Sequence, residues 1–177
     1  DVCSSDLLGV CQGGSIISSA AVTDHRIKKI ATVSGMMAAD AFQWFDRETA
    51  NQMIAAANAS MQKMYETGEA DYNWPNVLDD SMTREEFVAL GIPMADDTYN
   101  YYGKGGVAGP GKVENFTNEH IGDQAMQSLI SICEAYADKI TQPTMVIYGT
   151  SAATAICSTN FIDKLTNDPE VLEIGRA

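Results

Sequence analysis

Short apolar runs alternate with segments of helical periodicity along the chain, and this alternation predicts an α/β fold. Leu8–Val10, Ile27–Ser34 and Pro143–Tyr148 are apolar or rich in β-branched residues, which is typical of strands buried in a parallel sheet. Gly13–Val22 lies between the first two strands and consists of small and apolar residues, as a closely packed helix requires. A strand–helix–strand unit of this spacing predicts a right-handed parallel crossover. Val171–Ile174 is predicted to begin a last strand.

The remaining elements are predicted from apolar residues at helical spacing and from turn residues. Helices are expected at Ala39–Glu66, at Thr83–Leu90 behind Ser81 or Thr83 as a cap, at Gly122–Lys139, and at Ser158–Leu165 behind a capping serine. Gly103–Gly111 has the sequence GKGGVAGPG and is predicted to form a flexible loop.

The stretch between the second and third apolar strands is too long for a simple crossover connection. We expect it to contain a helical cap, at about residues 38–120, inserted into one partial α/β domain that spans residues 8–173. Six aromatic side chains are available to line a site beneath this cap: Trp44, Phe45, Trp74, Tyr99, Tyr101 and Tyr102.

Composition and charge argue against several classes of binding partner. The 177 residues include 11 Lys and Arg against 24 Asp and Glu, which gives a formal net charge of −13. A surface this acidic repels phosphate backbones and anionic lipid headgroups, which argues against nucleic-acid and membrane partners. The longest apolar runs are far short of the ~20 residues that a membrane span needs. The four cysteines lack close pairing, which indicates reduced thiols and a cytoplasmic protein.

The two ends of the chain correspond to related DNA sequences when they are back-translated. The start, DVCSSDL, can be written GAC GTG TGC TCT TCC GAT CT, and EIGRA ends in AG ATC GGA AGA GC, the reverse complement of part of the first. Both resemble the stem of a common short-read sequencing adapter, although natural polar termini are the alternative. We therefore expect Asp1–Leu7 and Ile174–Ala177 to be adapter-derived, to carry no fold information and to flank an incomplete domain.

The candidate chemistry lies in the sequence GVCQGG at Gly9–Gly14. A strand ends, one reactive residue (Cys11) follows, and small residues stand two positions before and after it, as in a nucleophile elbow. Gly9 and Gly13 are predicted to be glycine because a Cβ would clash where the chain folds back on itself.

The helix that follows the elbow supports the same interpretation. Its positive N-terminal end favours a thiolate at Cys11 and a developing oxyanion. The backbone N–H of Gln12 is predicted to be one oxyanion-hole donor. Gly14 and the small residues after it allow the helix to pack closely against neighbouring strands.

The elbow and strands in this order resemble the α/β-hydrolase superfamily. Within it, they are most similar to the dienelactone hydrolase-like branch, whose elbow commonly has the form G-x-C-x-G-G. Thr23–Met37, Asp96–Glu119 and Ile140–Ser158 resemble segments of a largely uncharacterised group of bacterial proteins in that branch. The resemblance implies a partial doubly wound parallel sheet from the nucleophile elbow onward, with the strands before the elbow and the C-terminal histidine region missing.

The resemblance also implies an activity. Cys11 would attack the activated carbonyl of a small-molecule ester, lactone or thioester and form an acyl-enzyme. No cofactor is required, and no Cys/His spacing in the sequence fits a metal site. The oligomeric state is not predicted. The segment itself is expected to be inactive.

Two parts of the hydrolase triad depart from the family pattern. The acid normally follows the late strand, but Gly149–Ala152 (GTSA) has no carboxylate, and the next one is Asp163. The catalytic acid is therefore unassigned; it comes from elsewhere, such as after the preceding strand, or is lacking. The histidine normally follows the last strand and is expected to be absent from this chain. His25 and His120 are interpreted as surface or capping residues.

A non-catalytic binding protein on the same fold is the competing hypothesis. In that case Cys11 is a small buried residue that only fills space. Cys133 and Cys157 lack an elbow setting, and both are predicted to fill the core.

Overall fold

The computed structural model describes residues 5–40, 46–72, 80–89, 95–115, 117–119, 121, 130–152 and 154–175. The chain divides into two compact units, one formed by residues 1–46 and 128–177 and the other by residues 47–127. The second unit overlaps most of the segment expected to be a cap. Its role as a cap stays a prediction.

The first unit is built on a parallel sheet. Its strands in the described ranges are β1 (Ser5–Val10), β2 (Ile27–Val33), β3 (Ala38–Asp40), β4 (Ile130–Ile132), β5 (Thr144–Gly149) and β6 (Glu170–Ile174). The sheet has the order β1-β2-β5-β6, and every neighbouring pair in it is parallel. The short strands β3 and β4 form a separate antiparallel pair. The predicted α/β fold class with a partial parallel sheet is therefore confirmed.

One face of this sheet carries the core of the unit. Helix α1 (Gln12–Thr23), a 3₁₀ helix (Cys133–Lys139) and helix α5 (Ala155–Lys164) pack there. Because side chains alternate along a strand, Leu8 and Val10 belong to the opposite face, and both are exposed, at 65% and 59%. The buried apolar residues are Ala21, Ile27, Ile30, Met37, Cys133, Ala137, Ile140, Val146, Tyr148, Cys157 and Phe161.

The four strands of the parallel sheet agree with the sequence prediction, apart from their ends, whereas β3 and β4 were not predicted. β1 begins at Ser5, so Ser5–Leu7 pair with β2, contrary to the expectation that residues 1–7 carry no fold information. Likewise Ile174 belongs to β6 and pairs with Gly149. The apolar run Leu8–Val10 marked only the second half of β1, and backbone pairing with β2 extends that strand to Ser5.

Two helix predictions in the first unit were wrong in detail. Residues 130–139 form β4 and the 3₁₀ helix, where an α-helix over Gly122–Lys139 was expected; residues 122–129 lie outside the described ranges. Apolar residues three and four positions apart are compatible with both an α-helix and a 3₁₀ helix, so their spacing could not distinguish the two. Helix α5 begins at Ala155, so Ser158 is a fully buried residue within the helix and does not cap it.

The second unit contains helices α2 (Arg47–Thr67), α3 (Arg84–Ala89) and α4 (Ala95–Tyr102) in its described part. Helix α2 starts eight residues later than the predicted Ala39, because residues 38–40 pair as β3. At the start of α3, the Thr83 hydroxyl accepts from the N–H of Glu86 at 3.3 Å, and the Glu86 carboxylate accepts from the N–H of Thr83 at 2.8 Å. This capping box confirms Thr83 as the cap and lowers the pKa of Glu86.

The loop predicted at Gly103–Gly111 follows α4 and makes backbone hydrogen bonds to that helix. The N–H groups of Gly103, Val107 and Ala108 donate to carbonyls of α4 at 2.8–3.0 Å. A methyl group on Gly109 would lie 1.8 Å from the carbonyl oxygen of Gly103. Glycine is therefore present at that position because the backbone approaches itself closely.

Of the aromatic residues expected to line a site, Tyr99, Tyr101 and Tyr102 lie on α4. The other three, Trp44, Phe45 and Trp74, lie outside the described residues. The hydroxyl of Tyr99 donates to the carbonyl of Met82 at 3.0 Å within the second unit. Among the described helices, none combines the length and apolar character needed to cross a membrane.

Candidate active site

Cys11 lies in the tight turn between β1 and α1, at the carboxyl edge of the sheet. Its backbone angles are φ 52° and ψ −123°. Residues other than glycine rarely adopt a positive φ, and such a conformation costs about 1–3 kcal/mol. A strained residue at a strand-to-helix turn is the geometry of a nucleophile elbow, as the sequence predicted.

Hydrogen bonds on both sides of Cys11 maintain this conformation. Its N–H donates to the carbonyl of Val33 at 3.0 Å. Its carbonyl oxygen accepts from the N–H groups of Gly14 and Met36, each at 3.0 Å. The turn after β2 and the first turn of α1 therefore both fix the peptide that joins Cys11 to Gln12.

The glycines of the elbow differ in how strictly they are required. A methyl group on Gly9 would lie 2.3 Å from the carbonyl oxygen of Gly13, and one on Gly14 would lie 3.1 Å from the Cα of Gly35. Nothing lies within 4 Å of the corresponding position on Gly13. The prediction of a clash is thus right for Gly9 and wrong for Gly13, because the Gly13 position faces open space.

The thiol of Cys11 is partly exposed and free, and it lies at the N-terminus of α1. The first N–H groups of a helix carry partial positive charge and have no carbonyl partner within the helix. The turn therefore places a nucleophilic sulfur beside an electropositive helix end. This arrangement suits attack on a carbonyl carbon, since the same helix end stabilises the negative charge that develops.

The structure does not bring a histidine to Cys11 within the described residues. Ser5 of β1 aligns with Ile27 of β2, and Val10 aligns with Val33. His25 precedes β2 and lies at the amino edge of the sheet, whereas Cys11 lies at the carboxyl edge. Six residues of strand separate the two edges by about 20 Å. His25 is exposed, as predicted, and His120 lies outside the described residues.

The carboxyl edge also lacks a carboxylate in the expected place. Gly149–Ala152 follows β5 and contains none, and Asp163 is exposed near the C-terminal end of α5. Glu173 of β6 accepts a hydrogen bond from the Tyr148 hydroxyl, which raises the pKa of that hydroxyl. Within the described ranges, no group of three His, Cys, Asp or Glu residues is placed to hold a metal ion.

Cys133 and Cys157 are core residues, in agreement with the prediction. They are 3% and 2% exposed. The Cys133 thiol donates to the carbonyl of Met37 at 3.0 Å. Burial raises the pKa of the Cys133 thiol from 9.0 to about 12, with a further contribution from the negative charge of Glu134.

This raised pKa predicts a loss of stability in alkaline solution. The folded thiol stays protonated up to a pH of about 12, whereas in the unfolded chain it ionises near pH 9.0. Unfolding therefore releases a proton in this window, and the free energy of unfolding falls as pH rises through it. Urea denaturation at pH 8 and pH 10 (about one unit on either side of the ordinary thiol pKa) measures the effect. Cys133→Ala should show a smaller fall; an equal fall would contradict the prediction.

The turn after β2, which supports the elbow, was not predicted from the sequence. Ser34 has φ 46°, and Met37 is completely buried. The Met37 side chain lies beside Gly35, and its Cε approaches the space in front of Gly14. The small Gly35 next to Ser34 was the one available signal, because it marks a close approach of two backbones.

No protein-family model and no curated protein matches the chain. Solved structures do match, at low identity. An α/β hydrolase from Penicillium sp. sh18 superposes with a TM-score of 0.68 at 15% identity, over 97% of this chain and 55% of its own. A monoacylglycerol lipase from Paleococcus ferrophilus gives 0.56 at 18%, over 96% and 58%. DcsB, solved in complex with its substrate analogue, gives 0.70 at 16%, over 100% and 58%.

The chain therefore spans little more than half the length of these solved structures. The similarity extends over 96–100% of this chain. The strand order and the elbow are consistent with it. We conclude that this chain has the α/β-hydrolase fold.

Proposed function

We propose that the chain is part of a hydrolase that cleaves an ester, lactone or thioester bond in a small-molecule substrate, with Cys11 as the nucleophile. The observation that carries this proposal is the strained backbone of Cys11 at the carboxyl end of β1, directly before α1. Such strain persists only where the surrounding structure enforces it, and it is concentrated at functional sites. A cysteine that only filled space would not require it.

The proposed chemistry is acyl transfer in two steps. The Cys11 thiolate attacks the carbonyl carbon, and the π electrons move to oxygen, where the Gln12 N–H donates a hydrogen bond. Collapse of this intermediate expels the alkoxide or thiolate leaving group and leaves an acyl group on Sγ. Water then hydrolyses the acyl-enzyme. The base for both steps is the histidine that the resemblance places after β6.

Several finer parts of the proposal depend on the resemblance and on general arguments. The dienelactone hydrolase-like branch, a bacterial source and a cytoplasmic location are among them. The monoacylglycerol lipase among the structural matches supports ester substrates. The net charge of −13 supports an uncharged or cationic small molecule over nucleic acid as the partner.

Acylation by p-nitrophenyl acetate tests the proposal. We expect mass spectrometry to find acetyl groups on Cys11 and not on Cys133 or Cys157, because burial protects the latter two. The buried thiols serve as internal controls, since Cys11, Cys133 and Cys157 should all react after denaturation. Acetylation spread evenly over these three of the four cysteines, or absent from Cys11 in the folded chain, would contradict the assignment.

A non-catalytic binding protein on the same fold is the second candidate. The absence of a carboxylate in Gly149–Ala152 favours it, since the family acid normally stands there. The two candidates differ in the acylation rate. A nucleophile should react with the ester faster than a free cysteine-containing peptide at the same pH, whereas a packed thiol should react more slowly.

A further inference from the structure

Two residues of the turn that follows β2, Ser34 and Met36, bond to different parts of the first unit. The N–H of Ser34 donates to the carbonyl of Ile147 on β5 at 2.8 Å. The N–H of Met36 donates to the carbonyl of Cys11 at 3.0 Å. The turn therefore connects β5 directly to the elbow.

The hydrogen bond from Met36 also determines the direction in which the Gln12 N–H group points. In a trans peptide, the C=O and N–H point in opposite directions. The carbonyl of Cys11 is held by Gly14 and Met36, so the N–H of Gln12 in the same peptide is directed away from both. Rotation of this peptide would turn the proposed oxyanion-hole donor away from the substrate oxygen.

Thr154 supports the turn from the far side. It occupies the N-cap position of α5, where a threonine hydroxyl commonly accepts from an N–H of its own helix. Here the side chain makes no such capping bond. Instead, its hydroxyl donates to the carbonyl of Ser34 at 3.2 Å. Ser34 has a positive φ of 46°, a strained conformation that depends on bonds of this kind.

We propose that Thr154 is a positioning residue: its hydroxyl holds the Ser34 turn, the turn holds the carbonyl of Cys11 through Met36, and the Gln12 N–H is thereby aimed at the oxyanion. This inference rests on the proposed function of Cys11. It adds to the proposed site Thr154, a residue that follows the loop after β5 and acts without touching the substrate.

Two reagents for the same sulfur separate this role from a merely structural one. With p-nitrophenyl acetate, Sγ bonds to the carbonyl carbon through an oxyanion, p-nitrophenolate leaves, and the thiol proton goes to solvent. With iodoacetamide, Sγ displaces iodide directly, and no oxyanion forms. Both reactions use the same thiolate, so the ratio of their rates at Cys11 reports on the oxyanion hole.

Thr154→Val removes the hydroxyl and keeps the shape of the side chain. We expect the ester rate to fall about fivefold to tenfold, less than the loss of an oxyanion-hole donor itself (about 10²–10³-fold). Alkylation by iodoacetamide should stay within about twofold, and Thr154→Ser should restore the ester rate. Thr154→Ala, which lacks the added methyl of valine, should give the same rate ratio.

Thr159→Val is the matched control. Thr159 lies on the same helix, and its hydroxyl bonds to the carbonyl of Ile156 within that helix, so neither rate should change. Hydrogen exchange adds a direct readout: the Met36 N–H should exchange faster in Thr154→Val than in the native chain.

The outcomes are distinct. If the native chain acetylates at Cys11 and Thr154→Val keeps the native rate ratio and the native exchange at Met36, the positioning role is wrong while the nucleophile stands. If both reagents slow equally, or if Cys133 becomes alkylated, the hydroxyl is only structural and the inference is again overturned. If the native chain does not acetylate at Cys11, the proposed function fails and this inference fails with it.

Discussion

Gly9→Ala is expected to destabilise the first unit more than the same substitution at Gly13 or Gly14. The new methyl group would lie 2.3 Å from the carbonyl oxygen and 2.5 Å from the carbonyl carbon of Gly13. Both atoms belong to the backbone of α1, so neither can move aside without displacing the helix. We expect the free energy of unfolding to fall by about 3–5 kcal/mol, a loss at the upper end for single substitutions.

Gly13→Ala is the matched control for this prediction. It adds the same methyl group within the same turn, but into space that is empty to 4 Å. Alanine is favoured over glycine inside a helix by up to about 1 kcal/mol, so Gly13→Ala should be neutral or stabilising. Urea denaturation followed by circular dichroism compares the two. Equal destabilisation by both substitutions would show that contact with the Gly13 backbone is not the reason why glycine is needed at position 9.

Cys11→Gly is expected to abolish acylation and to increase stability relative to Cys11→Ala. Both variants lack the sulfur, so acetyl transfer should fall by at least about 10³-fold in each. They differ in the backbone, because glycine adopts a φ of 52° without strain and alanine does not. Glycine relieves the strain in the folded state, but it also raises the conformational entropy of the unfolded chain. The difference between these two effects leaves Cys11→Gly more stable than Cys11→Ala by about 1 kcal/mol.

Denaturation midpoints and acetylation rates of the two variants check this prediction together. Cys157 provides a reference, since it is a buried cysteine in α5 with ordinary helical surroundings. Cys157→Gly should be less stable than Cys157→Ala, the reverse order. If Cys11→Gly proves less stable than Cys11→Ala, the conformation at the elbow is not a source of strain, and the main support for the nucleophile is lost.

The sequence by itself determined the order of the main elements. Runs of β-branched and apolar residues predicted β2 and β5, which contribute side chains to the buried core, and the start of β6. The spacing of small residues around Cys11 predicted the elbow, and local sequence narrowed the cap of α3 to Ser81 or Thr83, of which the structure selects Thr83. In each of these cases the physical cause is local, so a few neighbouring residues contain it.

Other features depended on contacts between distant residues and could not be read from the sequence. The extension of β1 to Ser5 depends on pairing with β2, and the conformation of the glycine-rich loop depends on hydrogen bonds to the carbonyls of α4. The difference between Gly9 and Gly13 arises from where the backbone of α1 passes.

The support of the elbow likewise appears only in the tertiary structure. Thr154 and Ser34 are 120 positions apart, and their hydrogen bond exists because the parallel sheet brings the ends of β2 and β5 to one edge. The sequence thus indicated Cys11 as the candidate nucleophile from its neighbouring residues. Tertiary structure alone decided what holds that residue in place, because the supporting groups are mostly backbone N–H and C=O groups, which every residue carries and no sequence pattern distinguishes.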